Sequence, residues 1–301
     1  MPHRLVRSAL SVAVCPPSQR PPVSAMSVLK LMLCATAVLV STGCALVQSP
    51  AERAHEIALS AGFARIESAG ALRAYLRVSG NASATRQRLT IYLESDGAAW
   101  PAADLPPRDP TPFNPLVLQM AAADDAPAVA YLGRPCQYLD AAALGQCDSA
   151  LWTRGRFGEA AVASVNRAVD ALKAASGARE IALAGYSGGG AMAALIAARR
   201  RDTVCLATIA SPLDTAAWVR AIGVSPLRTS LNPQDHTAAL IDLPQTHFTG
   251  ARDTVVPPAT IARFIAPMKK ARVIASNEFD HDCCWVRDWP DLLRQSCLRA
   301  P

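Results

Sequence analysis

The sequence lacks the features of several common protein classes. It contains no internal repeat and no heptad pattern, and beyond residue 43 it has no apolar run long enough to span a bilayer. Its formal net charge is +6, but residues 1–43 hold four of the 30 basic residues and no acidic one. The remaining 26 basic and 24 acidic residues form no Lys/Arg stripe, so we expect no nucleic acid as a partner.

A metal-ligand pattern is also missing, although the chain has nine cysteines. Cys283 and Cys284 are adjacent, and no second Cys-x-x-Cys pair completes a four-ligand zinc set. We therefore expect no metal. What the chain does have is a composition that is 51% apolar and 18% charged, which is sufficient for a sizeable folded core.

The N-terminal segment is typical of an export signal. Lys30 precedes the apolar run Leu31–Val40, and Ser41-Thr42-Gly43-Cys44 follows it. The ending Gly43-Cys44 resembles the bacterial lipobox, in which the cysteine is lipidated and becomes the new N-terminus, although Ser41 stands where leucine is commonest. The alternatives are an ordinary secretory signal cut nearby and an uncleaved anchor. Residues 1–25 are rich in proline, and Met26 is an alternative start that gives a signal of normal length.

These features predict residues 1–43 as a leader, 44–61 as a tether and 62–301 as a single folded domain. Lipid on Cys44 would anchor the protein to a membrane, on the periplasmic side in a bacterial host. Ala45, rather than Asp, follows the cysteine, which favours the outer membrane in a Gram-negative host. A rival prediction is a cytoplasmic protein that begins further along and has no leader.

Six cysteines remain after the leader and Cys44. An even number in an oxidising compartment favours disulfides. We predict one bridge across a short loop, between Cys136 and Cys147. A second bridge near the C-terminus should join Cys297 to either Cys283 or Cys284. Cys205 should then be free or be paired with whichever of Cys283 and Cys284 is left over.

From about residue 62, short apolar strands alternate with amphipathic helices. This order predicts crossover connections and a mostly parallel sheet with helices on both faces. The predicted strands are 72–78, 89–93, 128–132, 180–184, 204–209, 246–248 and 272–275, and the predicted helices are 158–175, 191–200, 258–267 and 290–295. Residues 211–243 exceed what a simple connection needs and predict either a small cap or a surface loop.

The most informative segment is Gly185-Tyr186-Ser187-Gly188-Gly189, which lies between a buried strand and a helix. Such a turn strains the nucleophile's backbone and brings other chain close, so it needs glycine on both sides. In this context the Gly-x-Ser-x-Gly pattern resembles the nucleophile elbow of the α/β-hydrolase superfamily. The resemblance implies that Ser187 is the nucleophile and that the N–H of Gly188 stabilises an oxyanion.

A base and an acid should follow in the order Ser, acid, His. His281 follows the last predicted strand, where the superfamily carries its catalytic histidine, whereas His55, His236 and His247 lie too early or within a strand. The segment Gly250-Ala-Arg-Asp253 resembles the superfamily's acid loop, which makes Asp253 the predicted acid. The fallback acids are Asp280, Asp282 and Asp214.

The second oxyanion donor should come from the loop after strand 89–93, which reads Glu94-Ser95-Asp96-Gly97-Ala98. Relatives often carry His-Gly-x there, so Asp96 replaces the histidine and Ala98 is the predicted donor by position. The segments 131–136 and 230–235 also resemble those of uncharacterised bacterial hydrolases of the superfamily, including lipoproteins.

Together these residues predict a serine hydrolase that cleaves a carboxylic ester through an acyl-enzyme, with a small-molecule or acyl substrate and no cofactor. Amide or thioester cleavage by the same triad is an alternative. So is a membrane-tethered binding protein that keeps the fold without activity.

Overall fold

The computed structural model describes residues 48–67, 71–79, 87–98 and 105–299. The leader 1–43, the alternative start Met26 and the lipidation candidate Cys44 lie outside these ranges. Within them, no helix combines the length and the apolar character needed to cross a bilayer.

The described residues form one mixed sheet in the order β1-β2-β4-β3-β5-β6-β7-β8. Its strands are β1 (Ala64–Arg65), β2 (Ala74–Val78), β3 (Arg88–Leu93), β4 (Ala128–Leu132), β5 (Glu180–Tyr186), β6 (Thr203–Ile209), β7 (Gln245–Gly250) and β8 (Ala271–Ser276). The pairs β1–β2 and β2–β4 are antiparallel and the remaining pairs are parallel. The mostly parallel sheet is therefore confirmed, and the seven predicted strands are β2 to β8.

Helices cover both faces of the sheet, as the alternation of elements predicted. They are α1 (Pro50–Ser60), α2 (Leu116–Ala123), α3 (Ala141–Gly145), α4 (Glu159–Ser176), α5 (Gly188–Ala197), α6 (Thr215–Ile222), α7 (Ala262–Ile265) and α8 (Trp285–Arg294), with 3₁₀ turns at Ser149–Trp152, Pro233–Ala239 and Pro258–Ile261. One face packs against α4 and α5, and the other against α1, α2 and α8. Ile181 of β5 points into the first layer and Ala182 into the second, which explains why this strand is apolar without alternation.

Helix α8 begins five residues earlier than the sequence predicted. Pro290 suggested a helix start, but it lies inside the helix. Trp285 and Trp289 on the preceding turn are fully buried, and Trp289 packs edge-on against Phe248 with ring centroids 5.6 Å apart. Removing a buried tryptophan costs about 3–5 kcal/mol, whereas a proline in a helix interior costs about 3 kcal/mol. Tertiary packing therefore overrides the local signal.

Residues 50–60, predicted as part of a tether, form helix α1 of the folded domain. Ser49 caps the helix: its hydroxyl accepts from the N–H of Glu52, whose carboxylate accepts from the N–H of Ser49 in return. Ala54 and Ala58 are fully buried against the α2 and α8 side of the sheet. Because small residues at four-residue spacing give a weak apolar signal, the sequence did not reveal this buried face.

The disulfides differ from the prediction at the C-terminus. Cys136 is bonded to Cys147, with Cα atoms 6.0 Å apart, but Cys297 is bonded to Cys205 on β6, and Cys283 is bonded to Cys284. The predicted link from Cys297 to this adjacent pair is wrong. Helix α8 separates the two positions, and a ten-residue helix spans about 15 Å, which exceeds the Cα separation that a disulfide allows.

Candidate active site

Ser187 stands at the sharp turn between β5 and α5. Its backbone has φ +52° and ψ −128°, and it occupies the N-cap of α5. Such a conformation costs a side-chain-bearing residue about 1–3 kcal/mol, and it persists only where the surroundings enforce it. A Cβ at Gly185 would overlap the carbonyl oxygen of Gly189, so glycine is needed where strand and helix approach each other.

The loops after β7 and β8 bring an acid and an imidazole to the same sheet edge. His281 Nε2 lies 3.1 Å from Ser187 Oγ, and His281 Nδ1 lies 2.9 Å from Asp253 Oδ2. The other oxygen of Asp253 accepts from the N–H groups of Val255 at 2.9 Å and Val256 at 2.7 Å. Asp253 is buried, so these bonds compensate for its lost hydration. The structure thus brings the three residues singled out in the sequence into one hydrogen-bonded chain.

Two aromatic side chains hold the backbone of His281. The Tyr186 hydroxyl donates to the carbonyl oxygen of His281 at 2.9 Å, and Trp285 Nε1 donates to the same oxygen at 2.8 Å. Burial raises the pKa of Tyr186 above its ordinary value, so its hydroxyl keeps the proton that it donates. No signal in the sequence marked Tyr186, because it occupies the unrestricted position of the Gly-x-Ser-x-Gly pattern.

The remaining acid candidates have other roles in the structure. Asp214 is fully buried and caps α6 by accepting from the N–H of Ala217 at 3.0 Å. Asp280 accepts from the backbone N–H groups of Asp282 and Cys283, and Asp282 accepts from the Tyr186 hydroxyl at 3.2 Å. These bonds shape the histidine loop and leave Asp253 as the acid bonded to the imidazole.

The other histidines of the described chain do not line the cleft that contains Ser187. His55 on α1 lies 3.3 Å from the hydroxyl of Tyr75, and His236 belongs to the 3₁₀ turn after residue 232. His247 is buried in β7, where its Nδ1 lies 2.8 Å from Thr208 Oγ1. Burial lowers the pKa of His247 to about 3, so it is neutral at physiological pH.

Ser187 and His281 open into a cleft of about 640 Å³ whose exposed lining is mostly apolar. The proline-rich segment after residue 104 supplies much of one wall. From the insertion 211–243, Trp218 lines the cleft. Both tryptophans of the cleft are held by loop carbonyls: Trp152 Nε1 donates to Pro107 at 3.0 Å and Trp218 Nε1 to Val255 at 2.7 Å. The apolar lining residues include Pro107, Phe113, Leu116, Trp152, Trp218 and Val255.

In the loop after β3, the structure contradicts the prediction that Ala98 is the second oxyanion donor. The N–H of Ala98 donates to the carbonyl oxygen of Pro110 at 3.1 Å, so it is already engaged and is not a free oxyanion donor. The N–H of Gly188, by contrast, belongs to the first residue of α5, where helical N–H groups have no intrahelical partner. The sequence could not reveal that Ala98 is engaged, because its partner Pro110 lies twelve residues further along the chain and only the tertiary structure brings the two together.

Asp96 of the same loop takes part in a charge cluster that the sequence did not reveal. Its carboxylate lies 3.2 Å from Nη1 of Arg134 and 3.0 Å from Nη1 of Arg156. Arg134 is buried, and its Nη2 donates to the carbonyl oxygen of Arg156 at 2.6 Å. The only signal in the sequence was that Arg134 interrupts the otherwise uncharged segment 131–136.

The described residues contain no cluster of His, Cys, Asp and Glu arranged to hold a metal ion. The side chains assembled at the site are a serine with strained backbone, an imidazole within hydrogen-bond distance of it and a buried carboxylate behind the imidazole.

Fold and site together define an α/β-hydrolase. The model of the FSH1 serine hydrolase family matches residues 122–281, more than half of the chain and a range that includes Ser187, Asp253 and His281. The chain belongs to this family and is accordingly a hydrolase. A search of curated proteins found no match.

Solved structures show the same fold at low sequence identity. The chain is similar to Est1E from Butyrivibrio proteoclasticus, with a TM-score of 0.54 and 14% identity over 78% of this chain and 98% of that one. It is similar to an esterase from Pyrococcus furiosus, with a TM-score of 0.53 and 15% identity over 79% and 92% of the two chains. An acylaminoacyl peptidase from Pyrococcus horikoshii gives a TM-score of 0.55 and 10% identity over 79% and 42%. Such similarity establishes the fold and not a shared substrate.

Proposed function

We propose that the protein is a carboxylesterase that cleaves esters with an apolar acyl group through an acyl-enzyme. The observation that carries the proposal is the hydrogen-bonded chain from Ser187 through His281 to Asp253, opening into a mostly apolar cleft. A serine hydroxyl is a poor nucleophile unless a base accepts its proton, and His281 Nε2 is within reach of that proton.

Each residue has a distinct role in the proposed mechanism. Ser187 Oγ attacks the ester carbonyl while His281 takes the hydroxyl proton, and Asp253 stabilises the imidazolium that forms. The N–H of Gly188 donates to the oxyanion of the tetrahedral intermediate, which collapses as His281 protonates the leaving alkoxide. Water activated by His281 then hydrolyses the acyl-enzyme and restores Ser187.

The test uses the purified protein with p-nitrophenyl esters of increasing acyl length and a fluorophosphonate probe. The wild type should turn over the esters and be labelled at Ser187, whereas Ser187→Ala and His281→Ala should each lose about 10⁴–10⁶-fold in kcat. Ser60→Ala, which removes an exposed serine outside the cleft, should be labelled and active like the wild type. Thermal unfolding of each variant verifies that the fold is retained.

The same experiment separates the alternative functions. A wild-type protein that is neither labelled nor active would favour a binding protein with the hydrolase fold. Faster turnover of matched p-nitroanilides or thioesters than of the esters would favour a peptidase or a thioesterase with the same triad.

A further inference from the structure

Trp218 is linked to the acid of the triad through a single peptide group. Its Nε1 donates to the carbonyl oxygen of Val255 at 2.7 Å, and the N–H of Val256 donates to Asp253 Oδ1 at 2.7 Å. The carbonyl of Val255 and the N–H of Val256 belong to the same planar peptide unit. The hydrogen bonds of the triad therefore continue beyond Asp253 into the side chain of Trp218.

A donor on this peptide affects the acid in two ways. Because the peptide is planar, a hydrogen bond to its carbonyl oxygen fixes the direction of its N–H, which points to Asp253. The same bond polarises the peptide, so its N–H becomes a stronger donor to the carboxylate. Val255 is 46% exposed, so burial alone does not hold this peptide, and the indole supplies a fixed partner for it.

The helix that carries Trp218 is fixed at its first turn. Asp214, one of the fallback acids, is fully buried and caps α6, and its carbonyl oxygen accepts from the N–H of Trp218 at 2.9 Å. Asn232, from the segment 230–235, donates to the Asp214 carboxylate at 3.3 Å and accepts from the N–H of Thr215 at 2.9 Å. These bonds hold the turn of α6 from which the indole extends.

The same indole also forms part of the cleft wall. Trp218 and Val255 line the cleft that contains Ser187 and His281. An indole offers a large apolar surface to an acyl chain, whereas its N–H is already engaged by Val255. The ring and the N–H of Trp218 can therefore have separate roles, one toward the substrate and one toward the acid.

We propose that Trp218 is a positioning residue for Asp253 through its N–H, and a specificity-determining residue for the acyl group through its ring. The inference rests on the proposed esterase function and assigns a preference for long apolar acyl chains to a residue of the insertion 211–243. A long acyl chain has more surface to bury against the ring than an acetyl group has, so the ring matters mainly for long esters.

Two substitutions separate the two roles. W218F keeps an aromatic ring and removes the N–H, whereas W218H keeps an N–H at the equivalent position of a five-membered ring and removes the fused six-membered ring. R220Q is the matched control, because Arg220 is an exposed residue of the same helix that does not line the cleft.

Each variant is assayed with p-nitrophenyl acetate and p-nitrophenyl octanoate at about pH 8, where an ordinary imidazole is neutral. Rates are normalised to the sites that a fluorophosphonate labels exhaustively, so misfolded protein is not counted.

We expect W218F to lower kcat about tenfold on both esters, near the upper end of what one hydrogen bond contributes. Its KM for the octanoate should change by less than about threefold, because an aromatic ring still lines the wall. W218H should keep kcat on the acetate within about threefold of the wild type and raise KM for the octanoate about 5–20-fold, because the fused ring no longer covers the acyl chain. R220Q should match the wild type on both esters.

A merely structural role for Trp218 would not separate the two substitutions. Losses in the same proportion on both esters in W218F and W218H would overturn the inference. W152F is a further comparison, because Trp152 also lines the cleft but donates to Pro107, in a segment without a triad residue. An equal loss of kcat on the acetate in W152F and W218F would indicate a general loosening of the cleft and would also overturn the inference.

These results are distinct from a failure of the proposed function. A wild-type protein that is active and sensitive to Ser187→Ala, but whose W218F variant is unimpaired, overturns only the role of Trp218. A wild-type protein without esterase activity overturns the proposed function, and this inference with it.

Discussion

His281 Nδ1 and Asp253 Oδ2 lie 2.9 Å apart, although the two residues come from the loops after different strands. The carboxylate is fixed by the N–H groups of Val255 and Val256, so it can hold one orientation of the imidazole. In this orientation Nδ1 carries the proton and Nε2 is free to accept the proton of Ser187.

The first prediction concerns this pair. Asp253→Asn should lower kcat by about 10⁴-fold, because an amide at this position favours the wrong tautomer of His281. Asp282→Asn is the matched control, since Asp282 also neighbours His281 but accepts from Tyr186. We expect its kcat to fall less than about tenfold. Steady-state kinetics on one ester measures both, and an equal loss in the two variants would contradict the assignment of Asp253.

The second prediction concerns stability in acid. The pKa of buried His247 is lowered to about 3, so between that pH and about 6.5 the unfolded chain binds a proton that the folded chain does not. This residue should therefore lower the free energy of unfolding as pH falls, by up to about 1.4 kcal/mol per pH unit below about 6. Its contribution is fully recovered above about pH 7.

Urea unfolding at about pH 7, 6 and 5 measures this slope. His247→Asn should show a shallower loss of stability on acidification than the wild type. His236→Asn, which removes a histidine of the 3₁₀ turn and leaves His247 in place, should keep the wild-type slope. Identical slopes in wild type and His247→Asn would rule out the buried histidine as the cause.

The third prediction concerns the bridge between β6 and the C-terminus. Cys205→Ala/Cys297→Ala should lower the free energy of unfolding by about 2–4 kcal/mol, because the bridge closes a long loop of the unfolded chain. Cys136→Ala/Cys147→Ala removes a bridge with a sequence separation of 11 instead of 92, so it should cost less. Denaturant unfolding without reductant compares them. Peptide mapping that found Cys297 bonded to Cys283 or Cys284 would refute this arrangement.

The fourth prediction concerns the N-terminus. We propose that Cys44 carries a lipid that anchors the protein at the periplasmic side of a membrane. Mass spectrometry of the mature protein should find a lipidated N-terminal Cys44, and Cys44→Ser should move the protein to the soluble fraction. Five residues, 45–49, lie between Cys44 and the start of α1 at Pro50. An unmodified N-terminus elsewhere in the chain would contradict the proposal.

Much of the fold followed from local patterns in the sequence. The apolar run Ile181-Ala182-Leu183-Ala184 predicted a strand buried on both faces, and β5 is such a strand. Helix α1 was missed because its buried residues, Ala54 and Ala58, are small. Helix α8 was predicted to begin at Pro290 but begins at Trp285. The sequence did not reveal the earlier start, because the burial of Trp285 and Trp289 depends on residues outside the helix, such as Phe279 and Phe248.

For this protein the sequence by itself determined the order of strands and helices, the elbow at Ser187, and the positions of Asp253 and His281 relative to it. Those features depend on apolar periodicity over a few residues and on the glycines that the close approach of strand and helix at the elbow requires. Short stretches of sequence are therefore sufficient to predict them. Only the tertiary structure decided that Pro110 engages Ala98, that Arg134 and Arg156 meet Asp96, and that Cys297 reaches Cys205. These contacts join residues brought together by the crossover connections of the sheet, and no local pattern specifies which distant loops meet at its edge.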